Sequence, residues 1–279
     1  MSNRISMVGL GEALLGVVFA LVMLWALHRL SVIVRATLAL WGTPTDDTLK
    51  RADGQQVAVE GQVTVGEPAA VADRLFDATD GPVGAYIWHA WTPDTGRNTY
   101  DFDRGELRGG RNTFAAGIET GKLGVSTHAQ QLSIDVDWLR DLYDTDDLSD
   151  LAIGDPVSNT SLPTFVTRHL WDSIYISLET AIGDCPATQL RDVVNLHADD
   201  TSADAYGIEA RGITAGQQLF ILGEVRERDD EYTVTGTDQT PLLISDTGRS
   251  GLVSQLRWRA LKYALALIGA AGLMILFVL

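Results

Sequence analysis

MVGLGEALLGVVFALVMLWAL, residues 7–27, carries a single charge, Glu12. In helical form it is long enough to cross the hydrocarbon core of a bilayer, which takes about 20 apolar residues. A cleaved signal peptide would need a basic start, a shorter apolar run and a small-residue cleavage site. Only Arg4 precedes this run, and HRLSVIVRATLALW follows it without such a site, so the expectation is an uncleaved anchor. Apolar spacing continues through Leu30, Val32, Ile33, Leu38 and Trp41, and Gly42 and Pro44 should stop the helix. A second uncharged run, YALALIGAAGLMILFVL, occupies residues 263–279.

Two spans place both termini on one side of a membrane and the intervening domain on the other. His28, Arg29, Arg35, Arg257, Arg259 and Lys262 flank the domain side, against Arg4 on the far side. The positive-inside rule then predicts a two-span protein of the cell membrane with a cytoplasmic domain. Gly9, Ala13, Gly16 and Ala20 form a small-residue face on the first span, and Ala266, Gly269 and Ala270 do so on the second. Such faces let helices approach closely in lipid. Glu12 is the candidate intramembrane polar site, because an ionisable group in a span is functional by default. It lies near the end of the span, so snorkelling to the interface accounts for it as well.

The chain carries 37 acidic residues against 21 Lys and Arg, for a net charge of −16. Asp outnumbers Glu, and only Lys50, Lys122 and Lys262 are lysines. So much like charge repels itself in dilute buffer, and molar salt screens it within roughly 3 Å. The composition therefore points to a halophilic setting. It excludes nucleic acid as a partner, since that needs a basic patch. The partners it leaves are membrane lipid and another protein, itself membrane-bound or not. The single cysteine, Cys185, excludes an internal disulfide and any cysteine-based zinc cluster.

Between the spans the apolar period is mostly two. QVAVEGQVTV alternates as a half-buried strand does, and VGAYIWHAW follows an Asp80–Gly81–Pro82 turn. Pro93–Asp94–Thr95–Gly96 reads as a hairpin turn, with RNTYDFD as its return strand. Further short strands follow, with turns at Thr120–Lys122, Thr214–Gly216 and Asp229–Asp230. Strands of this length and spacing predict an α+β domain whose β-part is a barrel or a sandwich. The expected organisation is a membrane helix with its extension over 7–41, the first half of the β-domain over 45–138, and an acidic insertion with helices over 139–204. The second half of the β-domain follows over 205–246, and the last membrane helix over 250–279. Within the insertion, 164–178 fits either strand or helix, and PATQLRDVVNLH has helical spacing after Pro186.

Reactive chemistry is sparse. Cys185 lies in GDCP, at the expected start of that last helix, where a thiolate is favoured, but no nucleophile motif surrounds it. His89, His128, His169 and His197 are scattered without metal-ligand spacing. Asp144, Asp146, Asp147 and Asp150 lack the central Gly and closing Glu of a calcium loop, and Asp199, Asp200 and Asp204 match it no better. The expectation is no catalytic residue, no cofactor and no metal. Tyr86, Trp88 and Trp91 are the candidate partner-binding residues, since aromatics are favoured at interfaces. Core packing is the competing reading of the same three residues, and alternation puts Tyr86 and Trp88 on one face of their strand and Trp91 on the other.

VAVEGQV at 57–63, YGIEARGITAGQQLFILGEV at 206–225 and TPLLISDTGRSGLVSQLRWRALKYALAL at 240–267 occur in this order, between and into two spans. In wording and order they resemble the GIDE-type, or besides-a-membrane, domain family, whose best-known members are RING-type ubiquitin ligases of the mitochondrial outer membrane. The resemblance covers about 150 residues including the spans. It implies a β-rich sensing or binding module held against a bilayer. A RING needs about seven Cys and His ligands around two zinc ions; here Cys185 is the only cysteine and the sequence ends in the second apolar run. The resemblance therefore implies a binding or scaffold role, with partnership in a ubiquitin-like ligase system as the alternative.

Overall fold

The computed structural model describes residues 2–45, 53–72, 81–101, 106–127, 131–145, 147–148, 169–186, 207–228 and 231–277. The chain divides into two units, Met1–Gly42 with Ser250–Leu279, and Thr43–Arg249.

In the first unit, α1 runs Ser2–Gly42 and the last helix, α3, runs Gly248–Phe277. Both are long and apolar enough to cross a bilayer. At 1.5 Å per residue α1 measures about 60 Å, twice the hydrocarbon thickness. Its end at Gly42 agrees with the Gly–Pro stop signal. Ala26, Ile33, Ala36 and Leu40 of α1 are buried, as are Leu252, Leu256 and Ala270 of α3. Trp25 meets Tyr263 edge-on at 5.3 Å between ring centroids. Of the small-residue faces, Ala270 is buried while Gly269 has open space beyond its Cα. Ser31 and Thr37 donate back to the carbonyls of His28 and Ile33, which keeps their hydroxyls satisfied inside an apolar helix.

The second unit is built on a closed five-stranded barrel. Its strands are β1 (Gln56–Glu67), β4 (Lys122–Ser126), β5 (Gln131–Ile134), β9 (Gln218–Arg228) and β10 (Glu231–Thr235). β1 pairs along its first half with β9, Gln56↔Glu224 to Gln62↔Gln218, and along its second half with β4. β4 pairs with β5, β5 runs parallel to β10, and β10 returns antiparallel to β9. Numbered by chain order, the barrel strands are neighbours as 1-2-3-5-4-1. That Greek-key closure is the architecture of the OB-fold. Val57, Val59, Val63, Leu123, Val125, Leu132, Leu219, Ile221, Val225 and Val234 fill its core. β1 was expected to be buried on one face only, yet Ala58 is fully buried beside Val57 and Val59.

Two excursions leave the barrel and form a second sheet. Between β1 and β4 come β2 (Val83–Asp101) and β3 (Glu106–Thr120); between β5 and β9 come β7 (Ala181–Pro186) and β8 (Gly207–Thr214). They assemble in the order β3-β2-β8-β7, all antiparallel. One face of this sheet adds Ala85, Ile87, Ile118 and Ile213 to the barrel core. The other gathers Tyr86, Trp88, Ala90, Phe114 and Ile208 into a second cluster. Gly216 takes φ +81° in the β8–β9 turn, a conformation that favours glycine and allows the sharp reversal. β6 (Ile176–Ser177) and β11 (Leu243–Ser245) complete the edge of the barrel sheet beside β9.

Two expectations are corrected and one left open is resolved. Pro93–Gly96 is not a hairpin turn: β2 continues through it to Asp101, and the register jumps from Asp94↔Gly110 to Asn98↔Gly109. The turn-forming residues make a bulge in one long strand, and a bulge accepts the same left-over residues that a turn does. Cys185 lies in strand β7, paired opposite Ile208, and not at a helix start; the remainder of PATQLRDVVNLH, from 187 on, lies outside the described residues. From His169 onward, the ambiguous segment is a 3-10 turn (Leu170–Asp172) followed by strand β6.

Asp246, just after β11, ties these parts together. Its carboxylate accepts the Glu179 and Thr180 amides, at 2.9 and 2.8 Å, together with the Thr180 hydroxyl and the Gln217 side-chain amide. Charge-assisted hydrogen bonds of this kind are each worth about 1.5–3 kcal/mol. Asp246→Ala is expected to lower unfolding stability by about 2–3 kcal/mol, with Asp246→Asn losing less, measured by denaturant titration of the full chain in detergent.

Candidate functional site

The barrel carries a polar concavity of about 580 Å³ lined by Asp53, Asp135, Asp137, Trp138, Asp141, Arg226, Glu227 and Thr235–Thr237. The sequence IDVDWL builds it directly. β5 ends at Ile134, and the Asp135 carboxylate accepts the Asp137 amide at 2.9 Å, which turns the chain into α2 (Asp137–Tyr143). Trp138 then lies on Gly236, where a Cβ would collide with its ring, and meets Tyr175 edge-on at 5.2 Å. The Asp53 carboxylate accepts the Glu227 amide at 3.1 Å. Arg226 is held by Glu224 at 2.7 Å. Partial burial raises the Asp137 carboxyl above its ordinary range, the Asp135 charge adds to this, and Arg140 opposes it. The result is a wide acidic recess with one aromatic wall.

A second polar group lies on the barrel-facing side of the second sheet. β2 and β8 pair His89 directly opposite Glu209, and both are buried. The His89 Nε2 lies 3.4 Å from the Glu209 carboxylate and its Nδ1 lies 3.3 Å from the Thr113 hydroxyl. A register break between Ala90 and Trp91 accompanies Thr113, as bulges commonly re-aim side chains. Trp171, from the 3-10 turn, stacks flat on His89 at 4.0 Å, and the Arg211 guanidinium lies over the same indole at 4.4 Å. Arg211 also donates to the Leu178 carbonyl. Burial holds the His169 imidazole below its ordinary range; Asp172 opposes this and His89 adds to it.

The opposite face of the sheet buries Glu119. Its carboxylate accepts the Leu148 amide at 2.6 Å. Burial raises its pKa, the Leu148 amide lowers it, and Asp147 raises it further. Tyr86 sits across from it in register and donates its hydroxyl to the Ala70 carbonyl at 2.9 Å; burial pushes that phenol upward.

Tyr86 and Trp88 are fully buried. That places them in the core, not on a partner-binding surface, and Trp91 is half-buried with Gly207 packed against its ring. The side chain of Glu12 lies outside the described residues, as do His128, His197, Asp146, Asp150, Asp199, Asp200 and Asp204. Asp144 caps α2 in the left-handed region at φ 46°. Among the described residues, no three His, Cys, Asp or Glu side chains converge as metal ligands. That His89, Glu209, Trp171 and Arg211 come together escaped the sequence reading, because the His89–Glu209 pairing depends on β2–β8 register across 120 positions and Trp171 arrives from a separate turn. The recess escaped the sequence reading as well; its one local signal is the Asp-x-Asp-Trp run at 135–138, after a strand.

No family model, curated protein or solved structure matches this chain.

Two titrations follow. A base whose folded pKa is lowered loses stability as pH falls below its unfolded value near 6.5; His169→Gln is expected to remove that part of the acid-side decline in melting temperature. An acid whose folded pKa is raised is stabilising in its protonated form and costs stability once pH rises through the folded pKa. Glu119→Gln keeps an acceptor for Leu148 without the charge. It is expected to be more stable than wild type at neutral pH, the difference shrinking toward pH 4, by denaturant titration at both pH values.

Proposed function

We propose that the protein is a membrane-anchored, GIDE-like binding or scaffold module, and that the acidic recess beside Trp138 receives a basic segment of a protein partner. The recess carries the reading. Five carboxylates and one ion-paired arginine surround an aromatic wall, and such a surface is complementary to Lys- or Arg-bearing peptide. The anchoring is supported by the outward apolar side chains of both helices. Leu14, Leu21, Leu265 and Ile268 are each 59–67% exposed, a cost in water and none in hydrocarbon. The OB-like barrel supports a binding role over a chemical one, since this architecture recognises ligands across its surface. We place the domain in the cytoplasm, from the basic residues that flank it.

The second reading, from the resemblance to RING-type ubiquitin ligases, makes the chain a component that works with separate ubiquitin-like machinery. Reconstitution with candidate modifiers, carrier and ATP decides it: conjugation no higher than in a protein-free control eliminates that role.

Pull-down from native membranes at high salt is expected to recover a specific basic partner, and Asp141→Lys with Glu227→Lys to reduce recovery at least tenfold without lowering the melting temperature. Unchanged recovery would show that the recess is not the partner site. Cys185 tests sidedness. A membrane-impermeant thiol reagent should label it only after lysis; labelling in intact cells would place the domain outside. If only denaturant exposes it, Thr145→Cys serves as the probe.

A further inference from the structure

The edge-on contact of Trp25 with Tyr263 sets α1 and α3 at a common height. Counting one helical turn from that pair toward residues 43–249 reaches His28 and Arg29 on α1, and Lys262 and Arg259 on α3. At 1.5 Å per residue these groups lie within about 6 Å of the aromatic pair along the helix axes. The headgroup layer on each side of a bilayer is roughly 5–8 Å thick. Aromatic rings at the edge of the hydrocarbon with basic groups one turn further out is the order expected of a membrane boundary.

Buried apolar residues are concentrated on the domain side of that pair, where Ile33, Ala36 and Leu40 of α1 and Leu252 and Leu256 of α3 are buried, while Val34, Leu38, Trp41, Trp258 and Leu261 there are 46–62% exposed. Beyond the pair, among the described residues, Ala270 is buried, and Leu14, Val17, Leu21, Leu24, Leu265, Ile268, Ile275 and Leu276 point outward. Lys262 extends over the Trp258 ring at 5.7 Å, which holds its ammonium on the domain side of the boundary.

We propose that Arg29, Arg259 and Lys262 form a collar that binds anionic phospholipid headgroups and fixes the bilayer boundary at Trp25 and Tyr263. The final third of α1, from His28 to Gly42, then stands clear of the hydrocarbon. The chemistry recognised is a lipid phosphate diester with net negative charge. This inference rests on the anchoring described above and adds a lipid preference to it.

The test uses the full chain reconstituted into phosphatidylcholine vesicles, alone or doped with phosphatidylglycerol. Spin-labelled versions of each lipid report the motionally restricted fraction beside the protein. The wild type is expected to enrich phosphatidylglycerol over phosphatidylcholine, and Arg259→Gln with Lys262→Gln to lower that preference by up to about fivefold per residue at low salt. Lys122→Gln, on the barrel strand β4 and outside both the helices and the recess, should leave it unchanged, and molar salt should reduce it in the wild type. Loss of the protein from neutral vesicles on alkaline extraction would overturn the spanning itself. Retention there with no headgroup preference, or a preference that the double variant keeps, would overturn the collar alone.

Discussion

The pairing of β9 with β1 is the constraint on which the soluble unit depends. β9 is bonded on one side to β1 and on the other to β10 and β11 in succession, so each of its stretches has two neighbours or a barrel interior to face. Without the seven pairs from Gln56↔Glu224 to Gln62↔Gln218 the sheet stays open, with two unpaired edges. The second sheet inherits its position from the same closure, because β8 runs through the Gly216 turn directly into β9. The acidic recess inherits it too, since Arg226 and Glu227 come from the end of β9, and Thr235, Gly236 and Thr237 from the end of β10 and just beyond.

Much of this was legible from local pattern. Period-two stretches gave β1, β4, β9 and the start of β2, and the Gly–Pro stop gave the end of α1. What was not legible depended on register between distant strands. Pro93–Gly96 has the composition of a turn, and only pairing with β3 on both sides shows that the strand absorbs it as a bulge. Tyr86 and Trp88 fit either a core or an interface from sequence alone, and burial in the cluster on one face of the four-stranded sheet makes them core. Cys185 precedes a helical spacing, yet β8 draws its segment into a strand. His89 opposite Glu209 could not be anticipated from either residue's own neighbourhood.

Charge is unevenly used. Some carboxylates do structural work: Asp246 gathers two amides and a hydroxyl, Asp135 starts α2, Glu60 accepts the Arg249 amide at the start of α3, and Glu119 serves Leu148. These groups are satisfied by donors from the fold and are shielded from salt to the degree that they are buried. Among the described residues, Asp53, Asp137, Asp141 and Glu227 line the open recess, where salt screens them. Molar salt would thus relieve surface repulsion while leaving the buried Glu119–Leu148 bond largely intact.

The two excursions from the barrel have a consequence for biosynthesis. β1 leaves the ribosome early, but its partner β9 is far downstream: Gln62 must wait for Gln218. At roughly 5–20 residues per second the interval is on the order of ten seconds. During it one edge of β1 and its apolar face have no final partner, while α1 has already emerged. A nascent chain in that condition is open to wrong pairing. The bulge in β2 breaks the regularity of a long early strand and makes it a poorer template for pairing with another chain while β8 is still being made.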